Sequence, residues 1–225
     1  MSPARRASFF DVDETLVAQK TLFSFLRFHL AAEGRPPAAY DEAYAGLVRL
    51  KSRGASREEA NRAYYTLYEG ASADRLAEQG RVWFEEQLRA GGFFHAPGVE
   101  AFRRHREAGD PTVLVSGSFF ACLDPIAEHL GADEAFGTSP VVLDGRLTGE
   151  VTRPMIGAAK ADTALAWAAG HGVDPRDCFA YGDHVSDLEL LRAVGHPTAV
   201  GDDPALRAYV VAVAGGRSLP GVSGA

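Results

Sequence analysis

The stretch Ser8-Phe9-Phe10-Asp11-Val12-Asp13-Glu14-Thr15-Leu16 constrains this chain more than any other, because an apolar run of strand character stops at two acids spaced one residue apart. In an open α/β sheet, ligands bind outside the carboxyl ends of the strands, so Asp11 stands where chemistry takes place. If the extended path continues, strand alternation turns Asp11 and Asp13 to a common side. Two carboxylates that close repel each other. A bound cation, or a raised pKa on one of them, relieves the repulsion.

The pattern that follows is helical. Residues 21–32 carry Leu22, Phe23, Phe25, Leu26 and Leu30 as an apolar stripe, stopped by Gly34 and Pro36-Pro37. A second helix is expected over about 38–50. A third opens on the capping box Ser56-Arg57-Glu58-Glu59 and runs toward Tyr68, and a fourth covers 72–89. Residues 17–95 hold no convincing strand, and this shift in composition marks an inserted helical domain; 1–16 and 96–225 then form the core. Strand and helix alternate again after Pro97-Gly98. A helix over 99–107 leads to a buried strand at 112–115, which ends at Ser116-Gly117-Ser118, and a helix follows over 120–130. Asp144-Gly145 between apolar runs signals a hairpin across 141–151. A helix carrying Lys160 precedes a strand at 178–181, which meets Gly182-Asp183-His184-Val185-Ser186-Asp187 and then a helix over 188–193. Short strands are expected near 198–200 and 209–213, and the Gly- and Ser-rich end beyond Gly215 is expected to fray. Repeated strand-loop-helix units build a parallel sheet covered by helices on both faces.

Composition narrows the function classes. A chain of 225 residues with 46% hydrophobic content can bury a sizeable core, and a net charge of −7 leaves no basic footprint for nucleic acid. Cys122 and Cys178 fit neither a metal spacing nor a disulfide framework, so a reducing compartment is expected. Arg5-Arg6 before Phe9-Phe10 superficially resembles a twin-arginine export signal, but Asp11, Asp13 and Glu14 break the apolar region. No run of about 18 apolar residues occurs, so no membrane span is expected and the cytoplasm is the expected location. Only Lys20, Lys51 and Lys160 are lysines among 23 basic residues.

Four polar clusters, at Asp11/Asp13, Ser116, Lys160 and Asp183/Asp187, each fall at a strand end or on a helix adjoining one. Taken alone, an Asp-x-Asp also suits a turn or a helix cap. The four in order resemble the haloacid dehalogenase superfamily of phosphohydrolases, most closely its phosphoserine-phosphatase-like branch, from Ser8 to about Val213. The first motif, Asp-x-Asp-x-Thr, stands at Asp11, Asp13 and Thr15, and the second at Ser116-Gly117. The third-motif lysine is Lys160 and the fourth-motif acids are Asp183 and Asp187, with Ser186 where the branch commonly has Asn. The resemblance implies a Rossmann-like doubly wound parallel sheet with an inserted helical cap of the C1 type. It implies Asp11 as nucleophile and Asp13 as proton donor and acceptor. Ser116, Gly117 and Lys160 would bind phosphate, with Thr15 and Asp187 in support. Mg²⁺ would be held by Asp11, the Asp13 main-chain carbonyl and Asp183.

The residue types suit that chemistry. A covalent intermediate splits the hydrolysis of an inert phosphomonoester into two easier steps, and one carboxyl group can deliver and then take up the proton. Lysine and N–H donors stabilise the spreading charge, and Mg²⁺ prefers oxygen ligands. In this resemblance dehalogenases lack the second acid and transporting ATPases carry Thr there, so Asp13 favours hydrolysis. The expected partner is a small phosphorylated substrate, with no nucleic acid.

Two positions depart from the branch. Phosphoserine phosphatases usually carry a glutamate nine residues after the nucleophile, facing the substrate's ammonium; this chain has Lys20. A lysine there repels an ammonium and attracts a carboxylate or second phosphate, or else points to solvent, so phosphoserine is not the expected substrate. Glu14 replaces a small residue, and the sequence offers no reason for it. His184 is expected beside the metal site and not as a ligand, and Tyr40/Tyr44 and Tyr64/Tyr68 are expected to pack helices, the alternative being that one of them faces substrate. The alternatives are a phosphotransferase or mutase using the same aspartyl-phosphate, and a non-catalytic phosphate-binding scaffold. The sequence sets no oligomeric state.

Overall fold

The computed structural model describes residues 6–222. Arg5 of the arginine pair lies outside the described residues. Among the described residues, six parallel strands form the central sheet: β1 (Ser8–Phe10), β2 (Thr112–Val115), β3 (Glu134–Phe136), β6 (Phe179–Gly182), β7 (His196–Val200) and β8 (Arg217–Leu219), in the order β3-β2-β1-β6-β7-β8. β1 is central because the chain builds outward to β2 and β3 on one side and then crosses to β6, β7 and β8 on the other. The crevice at a doubly wound sheet's switch point therefore opens at the carboxyl end of β1.

Strand alternation divides the interior into two cores. Phe9, Val113, Val115 and Ala180 face one way, against Trp167 of α7 (Ala158–His171), Leu190 and Leu191 of α8 (Leu188–Arg192), and Leu206 and Val210 of α9 (Pro204–Ala212). Phe10, Leu114 and Tyr181 face the other way, against α5 (Ala96–Glu107) and α6 (Phe120–Leu130). Phe10 and Tyr181, neighbours on β1 and β6, stack at 4.3 Å. Helices on both faces explain why the strands read as continuous apolar runs.

Between β1 and β2 the chain inserts α1 (Thr21–Ala32), α2 (Pro37–Ser52), α3 (Arg57–Thr66) and α4 (Ala73–Ala90). The capping box that starts α3 forms both bonds: the Ser56 hydroxyl accepts from the Glu59 N–H at 3.1 Å, and Glu59 accepts from the Ser56 N–H at 2.7 Å. The outgoing and returning chains pair, with Val17 bridged antiparallel to Phe94 and the Ala18 N–H donating to the Phe93 carbonyl at 2.7 Å. The hairpin of β4 (Pro140–Leu143) and β5 (Arg146–Val151) turns at Asp144 and Gly145, at φ 49° and 74°, as a tight Asp-Gly turn requires. It bonds to the α3–α4 connection through Gly70 N–H to Leu147 O at 2.8 Å.

Two expectations are corrected. The strand expected at 209–213 is, as far as Ala212, part of α9: Pro204 occupies the first turn and Asp203 caps it, accepting from the N–H groups of Ala205 and Leu206 at 2.9 and 3.1 Å. These caps outweigh the strand preference of Tyr209-Val210-Val211. The described residues beyond Gly215 do not fray as expected, because β8 pairs with β7; 223–225 lie outside the described residues. The edge strand β3 was not anticipated; its three residues are only half-buried and show no alternation.

Candidate active site

β1 ends at Phe10, and the next residue, Asp11, is buried with its N–H bonded to the Tyr181 carbonyl of β6 at 3.0 Å. The carboxyl ends of β2 and β6 and the start of α7 bring the other clusters to it. Lys160, in the first turn of α7, is buried and donates to Asp11 Oδ1 and Asp187 Oδ1, each at 2.6 Å. Burial alone disfavours its ammonium, but Asp11 and Asp187 more than offset that and raise its pKa. Asp187 is fixed from its other oxygen by the His184 N–H at 3.3 Å. Gly182 makes room for it, since a Cβ there would lie 2.5 Å from the Asp187 Cβ.

Asp11, Asp183 and Asp187 offer carboxylate oxygens within 4.8 Å of one another. Burial, and then repulsion from Asp11 and Asp187, push the Asp183 carboxyl up to about 9. A site that holds a proton so firmly in place of charge suits a cation. Lys160 takes one oxygen each of Asp11 and Asp187 and the His184 N–H takes the other oxygen of Asp187, so Asp11 and Asp183 keep the freer oxygens for a cation, and an all-oxygen set suits Mg²⁺.

Asp13 faces the same cavity but takes no part in that cluster. Its Oδ1 accepts the Thr21 N–H at the start of α1, at 3.0 Å. Burial and the neighbouring charge of Asp11 raise its carboxyl to about 7, against the opposing Thr21 bonds and Lys160. A carboxyl balanced near neutrality can give and take a proton.

Ser116 and Gly117 line the cavity at the end of β2, with the Ser116 hydroxyl accepting from the Ser118 N–H at 3.1 Å. Thr15 does not reach the cavity. It is buried beneath it, its carbonyl bonded to His95 Nδ1 at 3.0 Å and its hydroxyl without a partner among the described residues. Lys20 lies at the mouth and pairs with Glu14 at 3.3 Å. Glu14 takes a left-handed backbone, φ 58°, which turns the chain after Asp13.

Sequence reasoning missed a set of groups that hold the β2 loop. Asn61 Nδ2 and the hydroxyls of Tyr65 and Thr138 lie 2.9, 3.1 and 2.9 Å from the Gly117 carbonyl, all positioned to donate to it. Asn61 and Tyr65 sit four apart on α3, so the only signal was a helical spacing that core packing also produces. His184 is not aimed at the acids; its Nδ1 accepts the Ser186 N–H at 3.0 Å. Its pKa is lowered by burial and by Arg57 and Lys51, which face it across the cavity mouth. Tyr64 and Tyr68 pack as expected, hydroxyl to hydroxyl at 2.6 Å. Tyr40 and Tyr44 stack at 5.9 Å, and Tyr44 also reaches the cavity.

This fold and cluster define a recognisable class. Residues 8–192 match the model of the haloacid dehalogenase-like hydrolases, and the chain belongs to that family. Within it, the chain falls with the phosphatases of the phosphoserine-phosphatase-like branch. It is 33% identical over 207 residues to a probable phosphatase of Mycobacterium tuberculosis, covering 91% of this chain and 71% of that one. A phosphoserine phosphatase of the same organism is 29% identical over 209 residues, covering 89% and 66%. A crystal structure of a protein of unknown function from Bordetella pertussis superposes with a TM-score of 0.84 at 29% identity, covering 96% of this chain and 99% of that one. No helix among the described residues is long and apolar enough to cross a membrane.

Proposed function

We propose that this hydrolase is a Mg²⁺-dependent phosphomonoesterase working through an aspartyl-phosphate on a small phosphorylated metabolite other than phosphoserine, in the cytoplasm. The observation that carries the reading is the buried Asp11–Lys160–Asp187 chain, with Asp183 and Asp13 at its flanks around one cavity. Residues 17–95 act as a cap over the core, closing the cavity from the side opposite Asp11 and excluding water.

In this reading the Asp11 carboxylate oxygen bonds to phosphorus as the bond from phosphorus to the ester oxygen breaks, and the leaving oxygen takes its electron pair and the proton of Asp13. Asp13, now a carboxylate, takes a proton from water as that water's oxygen attacks phosphorus. The Asp11–phosphate bond then breaks, which restores Asp11 and releases inorganic phosphate. Lys160 holds Asp11 in line and places positive charge beside the phosphoryl oxygens; Ser116 and Gly117 offer donors to them. Asp11, Asp183 and the Asp13 carbonyl would hold Mg²⁺, which supplies further positive charge to the phosphoryl group.

Glu14 and Lys20 bear on the substrate. The carboxylate next to Asp13 is tied to Lys20, so Glu14 is not free to meet an ammonium group. The test is phosphate release from p-nitrophenyl phosphate and a panel of metabolite phosphates. Wild type should turn over with Mg²⁺ and stop with chelator, and Asp11→Asn should lose activity at least about a thousandfold. Unchanged turnover in Asp11→Asn would end the reading.

A further inference from the structure

The apolar face of α2 is only partly spent on the core, which Tyr40, Ala43 and Leu47 pack against. None of its residues is buried, yet Tyr44, Leu47 and Val48 fall on one helical face and line the same cavity as Asp11, Asp13 and Lys160. Tyr44 and Val48 keep 42% and 47% of their surface exposed. Phe23 of α1 meets Tyr44 edge-on at 5.1 Å, which fixes the aromatic part of the wall and joins it to the segment that carries Thr21 beside Asp13. The wall thus continues from the phosphate floor outward. It is bounded by Lys51, two turns beyond Tyr44 or about 10 Å along the helix.

Size points the same way. The cavity measures about 440 Å³. At about 30 Å³ per water-sized group it has room for on the order of fifteen, several times the four oxygens of a phosphate. What surrounds the remaining space is apolar on the α1–α2 side, and a small, strongly hydrated alcohol would leave that wall uncovered.

We propose, resting on the phosphomonoesterase reading above, that Phe23, Tyr44, Leu47 and Val48 form a leaving-group subsite for the alcohol half of an amphiphilic phosphate monoester, one with an alkyl or aromatic body. The face belongs to the substrate because it opens into the nucleophile's own cavity; a lipid surface or a second copy of this chain would need it turned outward.

The experiment measures kcat/KM for n-alkyl phosphates from ethyl to octyl, with wild type and Val48→Asp. Because Val48 is half-exposed, the aspartate leaves the core intact, and an unchanged melting temperature checks this. Wild type should gain roughly threefold per methylene until the wall is covered, mainly through KM. Val48→Asp should flatten that rise. Tyr44→Ser, which removes a different part of the wall, should flatten it as well. Phosphate released at equal efficiency along the whole series would overturn the subsite while leaving the phosphatase reading intact; no phosphate released from any member would overturn that reading itself. A flat series joined to Val48-dependent binding to phosphatidylglycerol vesicles, or to a Val48-dependent dimer in sedimentation, would assign the face to one of those occupants and also overturn the subsite.

Discussion

Asp13 and Lys160 carry opposite relations between stability and activity. Asp13 is held near neutrality because burial and Asp11 both oppose its charge. Replacing it with asparagine keeps the shape and removes the conflict. Asp13→Asn is expected to cut kcat by about 10²–10⁴-fold, the usual range for a lost acid–base group, without lowering the melting temperature. Lys160 is the reverse case, since it is the cation between two buried carboxylates. Lys160→Met should cost about 3–5 kcal/mol in denaturant unfolding, as expected when one member of a buried ion pair is removed. Lys160→Met/Asp187→Leu should recover part of that stability and none of the activity. At the mouth, Lys20→Glu sets two acids side by side with Glu14 and frees them to meet an ammonium. Phosphoserine turnover, measured by phosphate release, should rise relative to wild type.

The helical insertion is joined to the core by a close approach between α4 and α6. A Cβ on Gly80 would lie 1.9 Å from the Ala121 carbonyl oxygen, so the two helix backbones touch there. Gly80→Ala is expected to destabilise by about 1–3 kcal/mol through overpacking. Gly46, on the open α2, meets only the tip of Arg49 at 3.8 Å, so Gly46→Ala should stabilise by about 0.5–1 kcal/mol. Thermal melting of the two variants should therefore move in opposite directions. The same contrast explains what the sequence could reveal. Elements with their own punctuation were legible: Ser56 with Glu59 opens α3, and Asp144-Gly145 closes the hairpin. Asp11, Ser116, Lys160 and Asp183 were legible as a set through the resemblance to the haloacid dehalogenase superfamily, and they line one cavity. β3 was not, since a three-residue edge strand has no period, and α9 carries a β-branched run whose strand preference its local caps override. The hold on the Gly117 carbonyl was also illegible, because Asn61, Tyr65 and Thr138 come from segments that only the tertiary fold brings together.

At the scale of the whole molecule, His105 ties the α5 end of the core to the sheet. Its Nδ1 meets Asp110 Oδ2 and its Nε2 meets the Tyr181 hydroxyl, both at 2.9 Å, and Arg6 holds the other Asp110 oxygen at 3.1 Å. Phe10 and Phe179 close over the ring, with centroids at 6.0 and 4.5 Å. Burial lowers the His105 pKa below its ordinary 6.5; Asp110 opposes the shift, while Arg6 and Arg104 add to it. The unfolded chain therefore binds the proton more readily than the folded one. This contribution to stability is fully present above pH 6.5 and is lost as pH falls through the depressed folded value, with a slope of at most about 1.4 kcal/mol per pH unit. Asp13, Asp183 and Asp187 have raised pKa values and slope the other way, because the folded state holds their protons more firmly. The total curve consequently mixes both signs, and the histidine part is isolated as the difference between wild type and His105→Gln. That difference, from denaturant unfolding at pH 8 to 5, should be constant above pH 7 and shrink steadily below 6.5. A difference that grows toward acid would mean that the ring is held as the imidazolium by Asp110.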